Sequence, residues 1–351
     1  MERSTPARGD ADPDASLPGP RARADPRGNR ASHRRRDSPA AMNPKLQTFN
    51  VPVSRRADGE PWQLRFVSIE GSAPGPATAF VAGIFGDKPL ATMALWGLAR
   101  RLAQEPGLRG KVLLCPAANP FALEAGTRVS PDHLFLNRVF PGAASGFLTH
   151  QIAHALLGKL RDFTDCVVDL HSGTPDMALW YSYDYGDEEL SASFGYTPIV
   201  TGMAQPGQLS KAFVDGGGRS VLVEFGGGAL GDVAVGVEGC LNVLRYREQI
   251  GGRATGPKTL PVVDSDVSIY MPSNTGVLSS VHATTAVGQP VPKGPVAYLD
   301  CPATGDRLEE FSAKREGALL MLARVSPAMV TAGQFGAAIG YPCREVRVPA
   351  A

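Results

Sequence analysis

The chain has 351 residues, of which 43% are hydrophobic and 20% charged, a mixture typical of folded globular proteins with room for more than one core. The net charge of +1 includes an arginine-rich N-terminal segment, so the remainder is slightly acidic and predicts no nucleic-acid partner. No apolar run reaches the roughly 18 residues that a membrane helix needs. We therefore expect no membrane partner and a cytoplasmic location.

The first 41 residues differ in composition from the rest. They combine prolines and aspartates with a cluster of arginines and hold almost no large apolar side chains. We predict a disordered basic extension, with an arginine-rich targeting or nucleic-acid-binding arm as the alternative. Met42 directly precedes sequence that looks folded, so the choice between Met1 and Met42 as the start stays open. The arginines are Arg21, Arg23, Arg27, Arg30, Arg34, Arg35 and Arg36.

The five cysteines are odd in number, far apart in the chain and without CxxC spacing. This spacing predicts neither a disulfide framework nor a cysteine-rich zinc site. They are Cys115, Cys166, Cys240, Cys301 and Cys343.

The order of apolar patterns along the chain predicts an α/β domain over 42–256. Apolar residues alternate as in strands over 48–70. Next come a buried strand at 77–82, a helix at 89–103, a strand at 111–115, a long loop to 141, a helix at 147–160, strands at 166–170 and 221–224, and a helix at 233–246. Strands that alternate with helices predict a mostly parallel sheet with helices on both faces and a ligand site beyond the strands' carboxyl ends.

After about Gly256 helical periodicity ends and short β-type runs separated by glycines follow. Two similar strand–turn–strand stretches, around Gly276 and Gly317, predict a small C-terminal β domain of barrel-sandwich type over 257–345. It lacks a lysine in a central turn, so a swinging-arm role is not expected. We expect this domain to cover or shape the mouth of the larger one.

Four polar segments follow the predicted strands, and they hold the residues best suited to chemistry. An Arg and an Asn-Arg pair are typical of carboxylate binding, because a guanidinium meets a carboxylate through two hydrogen bonds. Glu224, between apolar strand residues and glycines, is a candidate general base. The segments are 83–89 (Gly-Ile-Phe-Gly-Asp-Lys-Pro), 119–142 (Asn-Pro-Phe through Leu-Asn-Arg-Val-Phe-Pro-Gly), 169–173 (Asp-Leu-His-Ser-Gly) and 223–227 (Val-Glu-Phe-Gly-Gly).

In this order the four segments resemble the succinylglutamate desuccinylase/aspartoacylase family of zinc hydrolases, from about residue 42 to 340. The most specific pieces are the Asn-Pro to Leu-Asn-Arg-Val-Phe-Pro-Gly block and Asp-Leu-His-Ser-Gly. The resemblance implies a zinc-carboxypeptidase-like fold. It also implies hydrolysis of the amide bond of an N-acyl amino acid or related small carboxylate, and it is compatible with a homo-oligomer.

The resemblance also implies roles for individual residues. The family binds zinc through the His and Glu of a Gly-x-His-Gly-x-Glu-Pro motif and the His of Asp-Leu-His. His171 matches the third metal ligand, Glu224 the general base and Arg128 the group that polarises the scissile carbonyl. Asn137 and Arg138 match the residues that bind the substrate carboxylate.

The first zinc motif departs from the family pattern. Phe85 stands at the His position and Lys88 at the Glu position, and Phe135 replaces a polar residue. One histidine cannot make a three-ligand catalytic zinc site. Three hypotheses stay open: a zinc-dependent deacylase, a metal-free pseudoenzyme that binds a small carboxylate, and catalysis through Lys88. In the metal-free cases we expect Lys88 to stand in for the ion and pair with Glu224.

Other candidate residues have simpler interpretations. His150 and His154 have chelating i, i+4 spacing, but we expect their helix to pack outside the site, and we expect His133 and His282 to be solvated or structural. Ser172 lacks a Gly-x-Ser-x-Gly elbow, and the glycine runs at 216–218 and 226–228 predict turns rather than phosphate loops. Four aromatic residues predict a core strand, with a pocket wall as the alternative. They are Trp180, Tyr181, Tyr183 and Tyr185.

Overall fold

The computed structural model describes residues 44–350, so the predicted extension at 1–41 lies outside the described residues. The strands are β1 (Lys45–Arg55), β2 (Pro61–Glu70), β3 (Ala73–Val81), β4 (Arg109–Cys115), β5 (Cys166–Ser172), β6 (Met177–Asp184), β7 (Ile199–Thr201), β8 (Arg219–Gly226), β9 (Thr259–Asp264), β10 (Val267–Tyr270), β11 (Gly276–Ser280), β12 (Pro290–Val291), β13 (Gly294–Asp300), β14 (Arg307–Ala313), β15 (Ala318–Arg324), β16 (Ala328–Val330), β17 (Ala337–Gly340) and β18 (Arg344–Arg347). The helices are α1 (Pro89–Leu102), α2 (Pro120–Ala125), α3 (Leu148–Phe163), α4 (Glu188–Ser193), α5 (Leu209–Asp215) and α6 (Val233–Tyr246).

One large mixed sheet organises the chain. Its main path runs β1-β2-β4-β3-β5-β8-β6-β15-β17-β10, and β7, β9, β12 and β18 attach beside it. The centre, β4-β3-β5-β8, is parallel, whereas β1, β2 and most strands beyond β8 pair antiparallel. The prediction of a mostly parallel sheet therefore holds for the centre only. Short turns and the helix-poor C-terminal part reverse the chain without the crossover that parallel pairing needs.

Helices cover both faces of the parallel centre, as predicted. Successive strand residues point to opposite faces. Val168 packs in one cluster with Leu95 of α1 and Leu244 of α6. Its neighbour Val167 packs in a second cluster with Leu156 of α3. Both faces of the central strands are thus buried against helices, which explains their continuous apolar sequences.

The observed ends of the strands and helices show where the polar segments lie. Helix α6 matches the predicted 233–246, and the segment 48–70 forms the antiparallel β1–β2 pair. The predicted loop up to residue 141 contains the short helix α2 and a 3-10 turn at Leu136–Arg138. Strands β5 and β8 run further than predicted, to Ser172 and Gly226. His171 and Glu224 therefore lie inside strands, where backbone pairing fixes their positions.

The strands after residue 256 divide between two sheets. A separate antiparallel sheet has the order β14-β13-β11-β16, while β9, β10, β12, β15, β17 and β18 belong to the large sheet. The division into 42–256 and 257–345, and the barrel-sandwich form of the second part, stay predictions. All five cysteines are free thiols. Within residues 44–350, no helix is long and apolar enough to cross a membrane.

Candidate functional site

Three neighbouring strands place polar side chains in one row. His171 on β5 is the register partner of Glu224 on β8, and Glu224 is also the register partner of Tyr181 on β6. Register partners on adjacent strands point to the same face of a sheet. The structure therefore brings the two distant motifs, Asp-Leu-His-Ser-Gly and Val-Glu-Phe-Gly, side by side with Tyr181.

The loop 83–88 places Phe85 and Lys88 next to this row. Gly83 has a φ of +71°, and the Gly86 amide donates a hydrogen bond of 2.9 Å to the carbonyl of Thr127. A Cβ at Gly86 would lie only 1.8 Å from the Ala122 carbonyl oxygen, so only glycine permits this approach to α2. Lys88 then directly precedes Pro89, the first residue of α1.

Lys88 and Glu224 form a buried ion pair at the centre of the site. Lys88 Nζ lies 2.8 Å from Glu224 Oε1 and 2.8 Å from Oε2, and the Lys88 side chain is 3% exposed. Burial lowers the pKa of Lys88 below its ordinary value, and the attraction of Glu224 opposes that shift without cancelling it. The ammonium group thus engages both oxygens of the carboxylate, as expected from the sequence.

The Phe85 ring lies close to two cations and to the His171 imidazole. Its ring centroid lies 5.4 Å from that of His171 and 5.3 Å from Lys88 Nζ. The Arg128 guanidinium lies 4.5 Å from the same centroid, within the range of a cation–π interaction. Arg128 also pairs with Asp87 at 3.3 Å. Phe85 therefore holds two cations by its π face and offers no lone pair.

His171 is oriented by a carboxylate on its own strand. Its Nε2 lies 2.9 Å from Asp169 Oδ1, and both side chains are buried. A carboxylate accepts, so Nε2 carries the proton of this hydrogen bond. The other oxygen of Asp169, Oδ2, is buried without a hydrogen-bond partner.

The residues present do not fit the zinc ion that the resemblance implies. Across residues 44–350 no three His, Cys, Asp or Glu side chains cluster as metal ligands. His171 supplies one nitrogen, but its would-be partners are the apolar Phe85 and the cation Lys88. An ammonium 2.8 Å from both Glu224 oxygens repels a dication instead of binding it.

Asn137 and Arg138 lie on the 3-10 turn beside this row, with different environments. Asn137 is buried, and its Oδ1 accepts a hydrogen bond of 2.8 Å from the amide of Leu209, the first residue of α5. Arg138 is exposed, and its Nη1 donates to the Asn137 carbonyl at 2.7 Å. Asn137 thus stabilises the start of a helix, while the guanidinium of Arg138 remains accessible.

Arg138, Tyr181 and Tyr183 line a cavity of about 250 Å³. The two tyrosine rings are in contact, with centroids 5.1 Å apart. Burial raises the pKa of both phenols, so each remains a neutral hydrogen-bond donor at physiological pH. Because Tyr181 is also the register partner of Glu224, this cavity adjoins the ion pair.

Several of these contacts carry no signal in the sequence pattern. The pairing of Asp87 with Arg128 and that of Asp169 with His171 appear only in the structure, although both carboxylates lie in the motifs quoted above. The strand prediction for Trp180, Tyr181, Tyr183 and Tyr185 is correct, since they lie on or directly after β6. Their alternative role as a pocket wall fits Tyr181 and Tyr183.

The other candidate histidines lie away from this row. His154 is exposed on α3 and His150 is half-buried there. His133 is exposed in a turn with a φ of +60°. His282 is partly buried, and its Nε2 has no hydrogen-bond partner. None of the four belongs to a metal-binding cluster within residues 44–350.

Comparison with known proteins relates this chain to a family. Residues 74–231 match the model of the succinylglutamate desuccinylase/aspartoacylase catalytic domain. The chain is 31% identical over 294 residues to N-alpha-acetyl-L-2,4-diaminobutyric acid deacetylase of Halomonas elongata, with 78% of this chain and 84% of that enzyme covered.

Solved structures share the fold. A succinylglutamate desuccinylase from Silicibacter sp. TM1040 superposes with a TM-score of 0.73 at 24% identity, covering 87% of this chain and 97% of that one. The product-bound ectoine utilization protein EutE (DoeB) from Ruegeria pomeroyi gives the same four values. With the identity and coverage of the Halomonas enzyme, these matches show that the chain belongs to the succinylglutamate desuccinylase/aspartoacylase family.

Proposed function

We propose that this protein binds a small N-acylated amino acid at the Lys88–Glu224 site and does so without a metal ion. The observation that carries the proposal is the ion pair itself, with Lys88 Nζ 2.8 Å from both oxygens of Glu224. The Lys88 ammonium group contacts both oxygens of Glu224, the carboxylate that matches the family's general base. The site therefore resembles a binding site more than a hydrolytic one.

Two features of the site oppose the activation of water for hydrolysis. A general base must accept a proton from the attacking water, and here that water would compete with the Lys88 ammonium, which donates to both Glu224 oxygens. Phe85 adds apolar surface beside His171, where a catalytic metal site would need a ligand. The charge of Lys88 also remains to balance the buried carboxylate, so the pair is stable without a metal.

The same site retains groups that recognise an N-acyl amino acid. The accessible guanidinium of Arg138 can hold a carboxylate through two hydrogen bonds. The neutral phenol of Tyr181, next to Glu224, can donate to an amide carbonyl. Arg128, buried partly against Phe85, adds positive charge on the other side. These groups together predict affinity for an anion that also carries an amide.

The second candidate is amide hydrolysis, favoured by the 31% identity to a deacetylase. The residues that match the family's polarising group, general base and carboxylate binders are all present as Arg128, Glu224, Asn137 and Arg138. In this case the buried ammonium of Lys88 would polarise the carbonyl electrostatically. Hydrolysis by this route would not depend on zinc.

Binding and metal content are tested first. We expect the purified protein to contain less than stoichiometric zinc by elemental analysis and to gain thermal stability with N-acetyl-amino acids. Arg138→Gln should abolish the ligand-induced rise in Tm, whereas exchange of the exposed Arg100 on α1 for Gln should leave it intact. One tightly held zinc per chain would refute the metal-free part of the proposal. Ligand-induced stabilisation that persists in Arg138→Gln would refute the part that assigns the carboxylate to Arg138.

Hydrolysis is tested with the same ligands. Release of free amine from an N-acetyl-amino acid, lost in both Lys88→Met and Glu224→Gln and insensitive to chelators, would establish the second candidate. Absence of amine release with ligand binding retained establishes the first.

A further inference from the structure

We infer that the ligand of this site, the N-acyl amino acid of the proposed function, carries an apolar side chain. The inference rests on the proposed function and adds the substrate class. Its basis is the cavity beside Tyr181, whose walls come mostly from the C-terminal part of the chain.

Much of the cavity wall is apolar. It includes Ile269 of β10, Met271 directly after it, Met321 of β15, and Phe335. Met321 belongs to a buried cluster in which Tyr181 also packs, so the wall is continuous with the candidate site. Methionine side chains fit irregular apolar groups well, because they are unbranched and polarizable.

The charge of the cavity lining is positive. Among the described residues that line the cavity, Arg138 is charged, the others are uncharged, and none carries a carboxylate. A ligand with a cationic side chain would find no counter-ion there and would lie near the guanidinium. A ligand with an acidic side chain would find only the neutral Tyr181, Tyr183 and Gln205 as polar partners for its second carboxylate, in a lining that is otherwise apolar apart from Arg138.

The geometry of an amino acid matches this arrangement. Its carboxylate and side chain share one Cα, so a carboxylate held by Arg138 places the side chain in the same cavity. The N-acyl group then extends past Tyr181 toward Glu224, the register partner of that tyrosine. At about 250 Å³ the cavity is slightly smaller than the usual range of ligand sites, which suits a single amino-acid side chain and not a peptide.

The test compares three probes by isothermal titration: N-acetyl-L-methionine, N-acetyl-L-aspartate and N-alpha-acetyl-L-2,4-diaminobutyrate. We expect the methionine derivative to bind at least about tenfold more tightly than the other two, as pocket discrimination by apolar contacts allows. Met271→Asp should weaken it about tenfold and improve binding of the diaminobutyrate derivative. Met329→Asp is the matched control, since Met329 is 61% and Met271 50% exposed, and only Met271 lines the cavity.

The outcomes separate the two proposals. If the probes bind with equal affinity through Arg138, or if the polar probes bind more tightly, the apolar class is wrong while the proposed function stands. If none of the three binds, both fail. If Met271→Asp and Met329→Asp behave alike, the cavity is not the site of the side chain and the inference is overturned.

Discussion

Lys88 Nζ sits 2.8 Å from each carboxylate oxygen of Glu224, although 136 residues separate the two in the chain. The pair joins the loop before α1 to the end of β8. Because both side chains are buried, the charges cannot separate without exposing one of them to an apolar environment. The stability of the site and its proposed function therefore involve the same contact.

Lys88→Met should destabilise the protein by about 3–5 kcal/mol at neutral pH, because it leaves a buried carboxylate without its partner. The free energy of unfolding in urea measures this. Lys111→Met is the matched control, since Lys111 pairs with Glu70 on the surface at 3.3 Å and its loss should change stability by less than about 1 kcal/mol. Equal effects of the two substitutions would contradict the assignment.

The stability contributed by Lys88 should depend on pH in the alkaline range. Burial lowers the pKa of Lys88 in the folded state below the 10.5 expected when the chain is unfolded. Between these two values the unfolded state binds a proton that the folded state does not, so stability from this group rises with pH there. Below the lowered pKa the penalty for the buried charge is fully present. Urea unfolding at increasing pH up to 10.5 should show a steeper rise for wild type than for Lys88→Met, and parallel curves would argue against the shift.

Zinc binding should be recoverable by restoring the family's ligands. The double variant Phe85→His, Lys88→Glu supplies an imidazole and a carboxylate next to His171, which together make a three-ligand site. We expect about one zinc per chain by elemental analysis in the double variant and loss of that zinc when His171→Ala is added. A double variant that folds but holds no zinc would show that the loop 83–88 no longer has the family geometry.

The loop should tolerate no side chain at Gly86. A Cβ there would lie 1.8 Å from the Ala122 carbonyl oxygen and 2.0 Å from its carbon, both backbone atoms that cannot move alone. Gly86→Ala should therefore lower stability by about 1–3 kcal/mol and weaken ligand binding. Gly158→Ala is the control: on the exposed side of α3 no atom lies within 4 Å of the new Cβ, and the change should stabilise the helix by up to about 1 kcal/mol. Similar effects at the two glycines would disprove the close packing.

The five cysteines should divide by reactivity toward a thiol reagent in the native protein. Burial raises the pKa of Cys115 to about 12 and that of Cys166 to about 11, and Cys240 is buried as well. Hydrogen bonding to Thr304 lowers the pKa of Cys301, and Cys343 is exposed. We expect two thiols to react in the folded state and five in denaturant. Rapid modification of a third thiol would mean that the central sheet opens.

The sequence by itself determined the family and most of the central strands and helices. Continuous apolar runs and helical periodicity are local signals, so α6 at Val233–Tyr246 follows from them directly, whereas β5 extends past the predicted 166–170 to Ser172. Phe85 and Lys88 at the two positions where the resemblance implies metal ligands can also be read from the sequence alone.

Only the tertiary structure decided how these residues meet. The antiparallel pairing of β6 with β8 places Tyr181 beside Glu224, and strand pairing between distant segments carries no local sequence signal. The same holds for the cavity wall around Met271 and Met321, which residues after 256 supply to a site built by residues before it. The fold brings Lys88 within 2.8 Å of Glu224 across 136 residues of chain, and this opposite charge stabilises the buried ammonium group.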